Sequence, residues 1–401
     1  MTGGFSRVAG PREGYITDNF PRARQTSWLS YPAPASAKLD SKYPAGPLLL
    51  RLPFRNQALV LRPDQLHRVL AESPEPFSPA TSEKRGALAH FEPRNVLVST
   101  GTERTVRRAL QEQALDTSSP VHRFADSFLP VIEQEADALL RAAGSDAGTL
   151  DWPLFTSAWH RAVRRVVFGD AARDDVELTD MLARLRKDAN WSGLKLRRNS
   201  VRKEFLRRVR AGIDAAFPGS LASVIRGSPD SDPSAPSDQA AQARQEINRD
   251  TSGGRNLPFL RACVLESLRL WPTTPMILRQ TSGQVSWDSG TMPARCGVLV
   301  FAPYFHRDGR RVPQADSFDP GRWLQQPDAG SGGPEAWGVV PFSEGPVRCP
   351  GRQLVLLLTS ALLARLLRDN AFTLESHRLS PEQPLPGTLN HFALQFRVSS
   401  L

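Results

Sequence analysis

One stretch limits what this chain can become more than any other. It is Pro341-Phe-Ser-Glu-Gly-Pro-Val-Arg-Cys-Pro-Gly351, followed by the apolar run Arg352–Leu367. The run predicts a helix that begins at about Pro350, with Cys349 set at its mouth. Amide dipoles at a helix N-terminus stabilise a negative sulfur, and it is the thiolate that binds metal. Gly345 and Gly351 let the backbone pass close to a flat cofactor, where a Cβ would collide. Phe342 is placed to shield the sulfur from water, and nearby N–H groups to tune its electron density. Pro350 has no N–H to waste at a first helical position. These are the needs of an axial thiolate to haem iron. A buried structural cysteine before a helix is the plainer alternative.

The rest of the composition narrows the class. At 401 residues the chain exceeds a typical single domain, yet mixed folds of this size exist. Hydrophobic residues at 40% and charged residues at 23% describe an ordinary globular protein. The net charge of +10 rests on arginine, since only six of the 51 basic residues are lysines. A basic surface suits an acidic electron-transfer partner, nucleic acid or an anionic membrane, or follows from a GC-rich genome that favours arginine codons. No dense Lys/Arg run with interleaved aromatics occurs, so nucleic acid is not expected. Cys263, Cys296 and Cys349 are odd in number and lack CxxC spacing, which points to a reducing compartment. No signal-peptide or anchor segment is read at the N-terminus, and Leu354–Leu367 is too short to span a bilayer. A soluble, cytoplasmic protein without a membrane anchor is expected.

The cysteine stretch resembles the haem-ligand signature of the cytochrome P450 family, Phe-x-x-Gly-x-x-x-Cys-x-Gly. Its four fixed positions are Phe342, Gly345, Cys349 and Gly351. Other segments extend the resemblance. Leu257–Pro272 reads as a helix holding Glu266-x-x-Arg269, a spacing that puts both side chains on one face. Ser317-Phe-Asp-Pro-Gly-Arg-Trp323 is similar to the segment whose arginine, here Arg322, completes a structural Glu-Arg-Arg triad in that family. Gly101–Leu115 reads as a basic helix. By the family's register Arg108 would meet a haem propionate, and Arg104 stands where an aromatic or His is usual. Arg279, on a predicted strand, and Arg348, beside a Val347 where relatives carry Arg or His, are further propionate candidates.

Taken in order, residues 1–45 read as an irregular lead-in to one domain spanning 1–401. Pro47–Leu61 predicts two short strands joined by a turn, and Arg62–Ala71 a helix capped by Asp64. Ser73–Asn95 reads as a loop, bordering the substrate pocket if the resemblance holds. Helices are expected over Asp126–Ala143, Ser157–Phe168, Asp175–Leu194 and Asn199–Ala216. Met181, Trp191 and Phe205 are read as core, and His122, His160 and His306 as structural. Pro275–Gln280 and Val298–Phe301 read as strands, residues 327–335 as a Gly-rich loop, and Phe372–Leu401 as ending in a strand pair.

One segment departs from the family. Pro218–Gln239 holds four prolines among Ser, Asp and Gly, so no long helix can form there. The family carries its long distal helix, with an acid–alcohol pair for dioxygen protonation, in this part of the chain. Asp250-Thr251 has the residue types but lies in a polar linker, and no catalytic pair is assigned.

The expectation is a mainly α fold with a minor β region, of bacterial, soluble P450 type, in which a Pro/Ser-rich loop at 218–240 replaces the distal helix. The resemblance implies haem b held by Cys349, an apolar small-molecule substrate, a ferredoxin-type electron donor and monooxygenase chemistry with an altered distal side. A haem-dependent isomerase or dehydratase, or a non-catalytic or degenerate haem-binding protein, remains as the alternative.

Overall fold

The computed structural model describes residues 39–52, 55–145, 148–192, 195–215, 217–224, 246–247, 250, 252–324, 338–376, 379 and 384–401. Most of the lead-in, the Pro/Ser-rich loop from residue 225 and the Gly-rich loop 327–335 lie outside the described residues. The helices are α1 (Pro63–Ala71), α2 (Ser82–Leu88), α3 (Gly101–Ala114), α4 (Ala125–Ser145), α5 (Trp152–Phe168) and α6 (Val176–Ala189). They continue as α7 (Asn199–Asp214), α8 (Leu221–Val224), α9 (Pro258–Leu270), α10 (Ala302–His306), α11 (Gly321–Leu324) and α12 (Arg352–Leu367). The strands are β1 (Leu48–Leu52), β2 (Arg55–Leu59), β3 (Phe77–Ser78), β4 (Thr149–Asp151) and β5 (Met276–Thr281). After them come β6 (Val285–Trp287), β7 (Gly290–Met292), β8 (Gly297–Phe301), β9 (Asn370–Leu374) and β10 (Gln395–Ser400).

α12 is apolar on every side, and such a helix must be enclosed. Leu354, Leu357, Leu358, Ala361 and Leu362 lie in one core with Phe128, Ile132, Ala136 and Leu139 of α4 and with Ala158 and Ala162 of α5. Ala364, further along α12, packs instead with Phe259 and Leu260 of α9. Each such Leu or Phe contributes about 1.5–3 kcal/mol by leaving water, so α4, α9 and α12 hold one another in place. A second core forms under the sheet β1-β2-β8-β5-β3, where alternate residues of β5 and β8 face α1 and α10. β1 and β2 form a hairpin, Leu48 opposite Leu59, and β2 then runs parallel to β8. The expected C-terminal strand pair is β9–β10, with β4 added at its other edge.

Several expectations are corrected locally. Asp64 does not cap α1; Arg62 holds the cap position, and the Asp64 carboxylate instead accepts from Arg62 Nε at 3.0 Å. Within Ser73–Asn95, Thr81 accepts the Lys84 N–H and starts α2, a cap that outweighs the loop-like composition. α5 begins at Trp152 rather than Ser157, because Asp151 accepts the Leu154 N–H and a proline follows in the first turn. α6 ends at Ala189, and Trp191 beyond it is 39% exposed rather than core. α12 starts at Arg352 with Gly351 at its cap, so Pro350 sits in the preceding turn. The stretch expected as a loop from residue 218 opens with one helical turn, α8. No helix among the described residues is long and apolar enough to cross a membrane.

Candidate functional site

Cys349 lies half-buried between a 3-10 turn, Gly345–Val347, and the cap of α12. Its N–H donates to the Phe342 carbonyl at 2.9 Å, and the Arg348 N–H to Gly345 at 2.9 Å, so the loop is folded on itself. Gly345 has φ +70°, and a Cβ there would stand 2.3 Å from the Leu70 carbonyl oxygen. The end of α1 by itself therefore requires the glycine. At Gly351 a Cβ would meet Cys349 Sγ at 4.0 Å, an ordinary contact.

Behind this loop stands a closed polar network. Glu266 and Arg269, both fully buried on α9, pair through two bonds of 2.8 Å, Nε to Oε2 and Nη2 to Oε1. Arg322 Nε, the Asp319 N–H and the Trp323 indole N–H also donate to Glu266, at 3.1, 2.8 and 2.9 Å. Arg269 gives its remaining N–H groups to the carbonyls of His306, Ala315 and Ser317. Burial pushes the Glu266 carboxyl up, but the Arg269 guanidinium and the other donors more than offset this and hold it below the usual range.

His306 carries the network to the cysteine loop. Its Nε2 accepts the Val340 N–H at 2.9 Å, and Nδ1 lies 3.1 Å from the Arg269 carbonyl oxygen. An accepting Nε2 requires the proton on Nδ1, which then donates to Arg269. Burial drives the imidazole pKa down to about 3, so the ring stays neutral. His122 is likewise structural: Nδ1 accepts the Phe124 N–H, and Nε2 faces the Ala114 carbonyl.

The cations are arranged differently. Arg279, 3% exposed on β5, donates to Ser73 Oγ, to the Leu278 carbonyl and, across to the cysteine loop, to Ser343 Oγ at 3.2 Å. Arg104, 6% exposed on α3, donates to the Val96 carbonyl at 2.7 Å. Among the described residues neither has a carboxylate partner. Burial, then the like charge of Arg104, lowers the Arg279 pKa to about 10; burial, then Arg108, lowers that of Arg104. Arg108 is engaged with Glu112 one turn on, and Arg348 faces Glu344 at 3.5 Å. Asp250 closes a turn by accepting from Ser252 and Gly254; Thr251 lies outside the described residues.

Sequence reasoning did not identify Lys84, Ser343, Trp323 or the reach of His306 to Val340. Ser343, within the cysteine stretch, and Trp323, next to Arg322, lay in segments already singled out. A haem needs an axial donor and brings two carboxylates. A thiol at the mouth of α12, and a buried guanidinium, Arg279, that reaches the same loop and has no carboxylate partner among the described residues, fit that group.

Residues 237–395 match the cytochrome P450 family model. Over 114 residues the chain is 31% identical to a probable cytochrome P450 4d20 of Drosophila melanogaster, covering 28% of this chain and 22% of that protein. Over 136 residues it is 31% identical to cytochrome P450 4V2 of Rattus norvegicus, covering 34% of this chain and 25% of that one. The matched stretch thus spans only about a quarter of those relatives' length. They are animal proteins and lend no support to a bacterial subtype. The fold is similar to cyanobacterial CYP120A1, solved with retinoic acid bound, at a TM-score of 0.67 and 18% identity over 91% of this chain and 94% of that one. A zebra fish cytochrome P450 solved with abiraterone gives 0.63 at 16% identity, over 92% of this chain and 99% of that one. The C-terminal segment 237–395, which holds the cysteine loop and the Glu-Arg-Arg network, matches the cytochrome P450 family model, and the described chain has a mainly helical fold with a minor sheet similar to that of solved cytochromes P450.

Proposed function

We propose that this protein is a haem-thiolate oxidoreductase that oxidises an apolar small molecule in monooxygenase fashion, with Cys349 as the axial ligand of haem b. One connected path carries the reading. It runs from Glu266 and Arg269 through His306 to Val340, and so fixes the loop that presents the cysteine. Bound haem with a thiolate ligand supplies dioxygen activation and O–O cleavage. The chain supplies position and charge. The closed network holds the loop rigid, while Arg279 and Arg104 offer cations to the cofactor's carboxylates. Arg108 and Arg348 act as outer cations, each shared with its glutamate. Phe342 and Gly351 border the sulfur.

The distal side is proposed to be altered, because the four prolines between residues 218 and 239 bar a long helix. The same stretch favours a second reading, a haem-binding protein without turnover. Electrons would come from a ferredoxin-type donor drawn to the basic surface.

The test is the carbon monoxide difference spectrum of the dithionite-reduced protein. A thiolate-type Soret band supports the reading, and its loss in Cys349→Ser assigns the ligand. A neutral-ligand band, or no haem, overturns it. Peroxide-driven product formation from apolar substrates then separates the oxidoreductase from the inactive haem binder.

A further inference from the structure

The positive charge of this chain is not spread evenly. Residues 184–210 hold eleven Lys or Arg against two carboxylates, Asp188 and Glu204, so nearly all of the net +10 sits where α6 gives way to α7. Within this stretch runs Leu196-Arg-Arg-Asn-Ser-Val201, with arginines two and three residues before a serine. The chain has five Arg-Arg pairs, and this one alone is followed at that distance by Ser or Thr. Residues 196–198 are irregular and residues 195–200 are all exposed, Leu196 at 92%. Asn199 and Ser200 open α7, in a first turn without a side-chain cap or an acid. Helix ends fray, so the serine joins the irregular stretch before it at little cost. A serine kinase whose cleft is lined by carboxylates recognises this pattern, two guanidiniums at fixed reach from an acceptor hydroxyl.

We infer that Ser200 is a phosphorylation site, and that its phosphate draws Arg198 off Asp188 and so loosens the α6–α7 corner from α2. The step is phosphoryl transfer from a nucleoside triphosphate. The Ser200 oxygen bonds the γ-phosphorus, the bond to the β-phosphate oxygen breaks, the diphosphate leaves and the hydroxyl proton passes to the kinase. The product carries about −1.5 to −2 charge at pH 7. Arg197, Arg198 and Lys203 lie within three residues of it, and the helix dipole favours it further. Arg198 is already engaged. Its Nε lies 2.6 Å from Asp188 Oδ2, and Lys195 Nζ donates to Oδ1 at 2.9 Å. Asp188 is 2% exposed; burial pushes its carboxyl up, but these two cations more than offset that. Losing Arg198 leaves a buried carboxylate with one cation. The corner meets the α2 segment at the same place. Arg202 Nη1 donates to the Ala89 carbonyl at 3.0 Å, and a Cβ at Gly86 would stand 3.3 Å from Ser192 Oγ. His90, buried just beyond α2, feels the Asp188 charge. The site does not depend on the haem reading.

The experiment treats the full-length protein with ATP and an arginine-directed serine kinase, and reads intact mass and peptide masses. Wild type should gain a phosphate on the peptide that holds Ser200, and Ser200→Ala should gain none there. Arg197→Gln and Arg198→Gln should each lower the kinase's kcat/KM on the order of tenfold. Arg210→Gln, which removes a charge of the same patch outside the pattern, should leave it unchanged. Amide exchange in residues 86–92 and 185–192 should rise severalfold on phosphorylation, and to a similar level in unmodified Arg198→Gln. No phosphate on Ser200 in the folded protein would overturn the site, even where a free peptide of residues 194–204 reacts. Equal loss of kcat/KM in Arg210→Gln would overturn the pattern, leaving only general charge. A phosphate on Ser200 with unchanged exchange would overturn the release of α2.

Discussion

Two buried charged regions flank the cysteine loop, and they solve the cost of burial in opposite ways. On the α9 side, Glu266 meets Arg269, Arg322, the Trp323 indole and the Asp319 N–H, and Arg269 is satisfied by three carbonyls. Nothing is left over. On the β5 side, Arg279, Arg104 and Lys84 hydrogen-bond, among the described residues, to hydroxyls and carbonyls alone, and Glu112 acts on Arg104 without a hydrogen bond. A complete network is architecture, because its charges are already spent on one another. An incomplete one, rich in one sign, leaves charge that a bound anion would offset. The contrast separates residues that hold the loop from residues that meet what binds beside it.

The largest effect expected is on the closed side. Glu266→Gln should cost about 3–5 kcal/mol, since it strands Arg269 in the interior; thermal unfolding of the haem-free protein reads it. A loss below 1 kcal/mol would show the network is not closed. Next is His306. Its ring is neutral when folded, with a pKa of about 3 against an ordinary 6.5, so the unfolded chain binds the extra proton. Its contribution is present above pH 6.5 and is lost as pH falls toward 3, about 2 kcal/mol by pH 5. Urea unfolding of wild type and His306→Gln across this range should differ in slope by up to one proton.

On the open side the sign reverses. Arg279→Gln should stabilise the haem-free protein by about 1–3 kcal/mol, by removing a charge buried without a counterion, while weakening hemin binding. Destabilisation together with unchanged hemin affinity would erase the distinction between the regions. The smallest change is Arg348→Ala, which loses a half-exposed pair with Glu344 and should shift stability by less than about 1 kcal/mol.

Much of the closed side was legible in the chain. The spacing of Glu266 and Arg269 on one helix face depends only on helix geometry, and the apolar run Arg352–Leu367 could only be an enclosed helix. The open side was less so. Arg104 and Arg108 are one turn apart on α3, and no pattern tells which is buried and which finds Glu112. Lys84 looked like a loop lysine until Thr81 capped a helix beneath it. Capping and register are local, whereas the meeting of α2, α3 and β5 depends on contacts across about 200 residues.

The cysteine loop, the helix that follows it, the paired strands and the Glu-Arg spacing were all readable from the residues, because periodicity, turn chemistry and short spacings act within a few residues. The tertiary structure alone decided that Gly345 answers to the Leu70 carbonyl, that His306 bridges α9 to Val340, and that Lys84 and Arg279 share one oxygen. Those outcomes turn on which distant segments exclude water together, and on where a buried charge is left without its opposite.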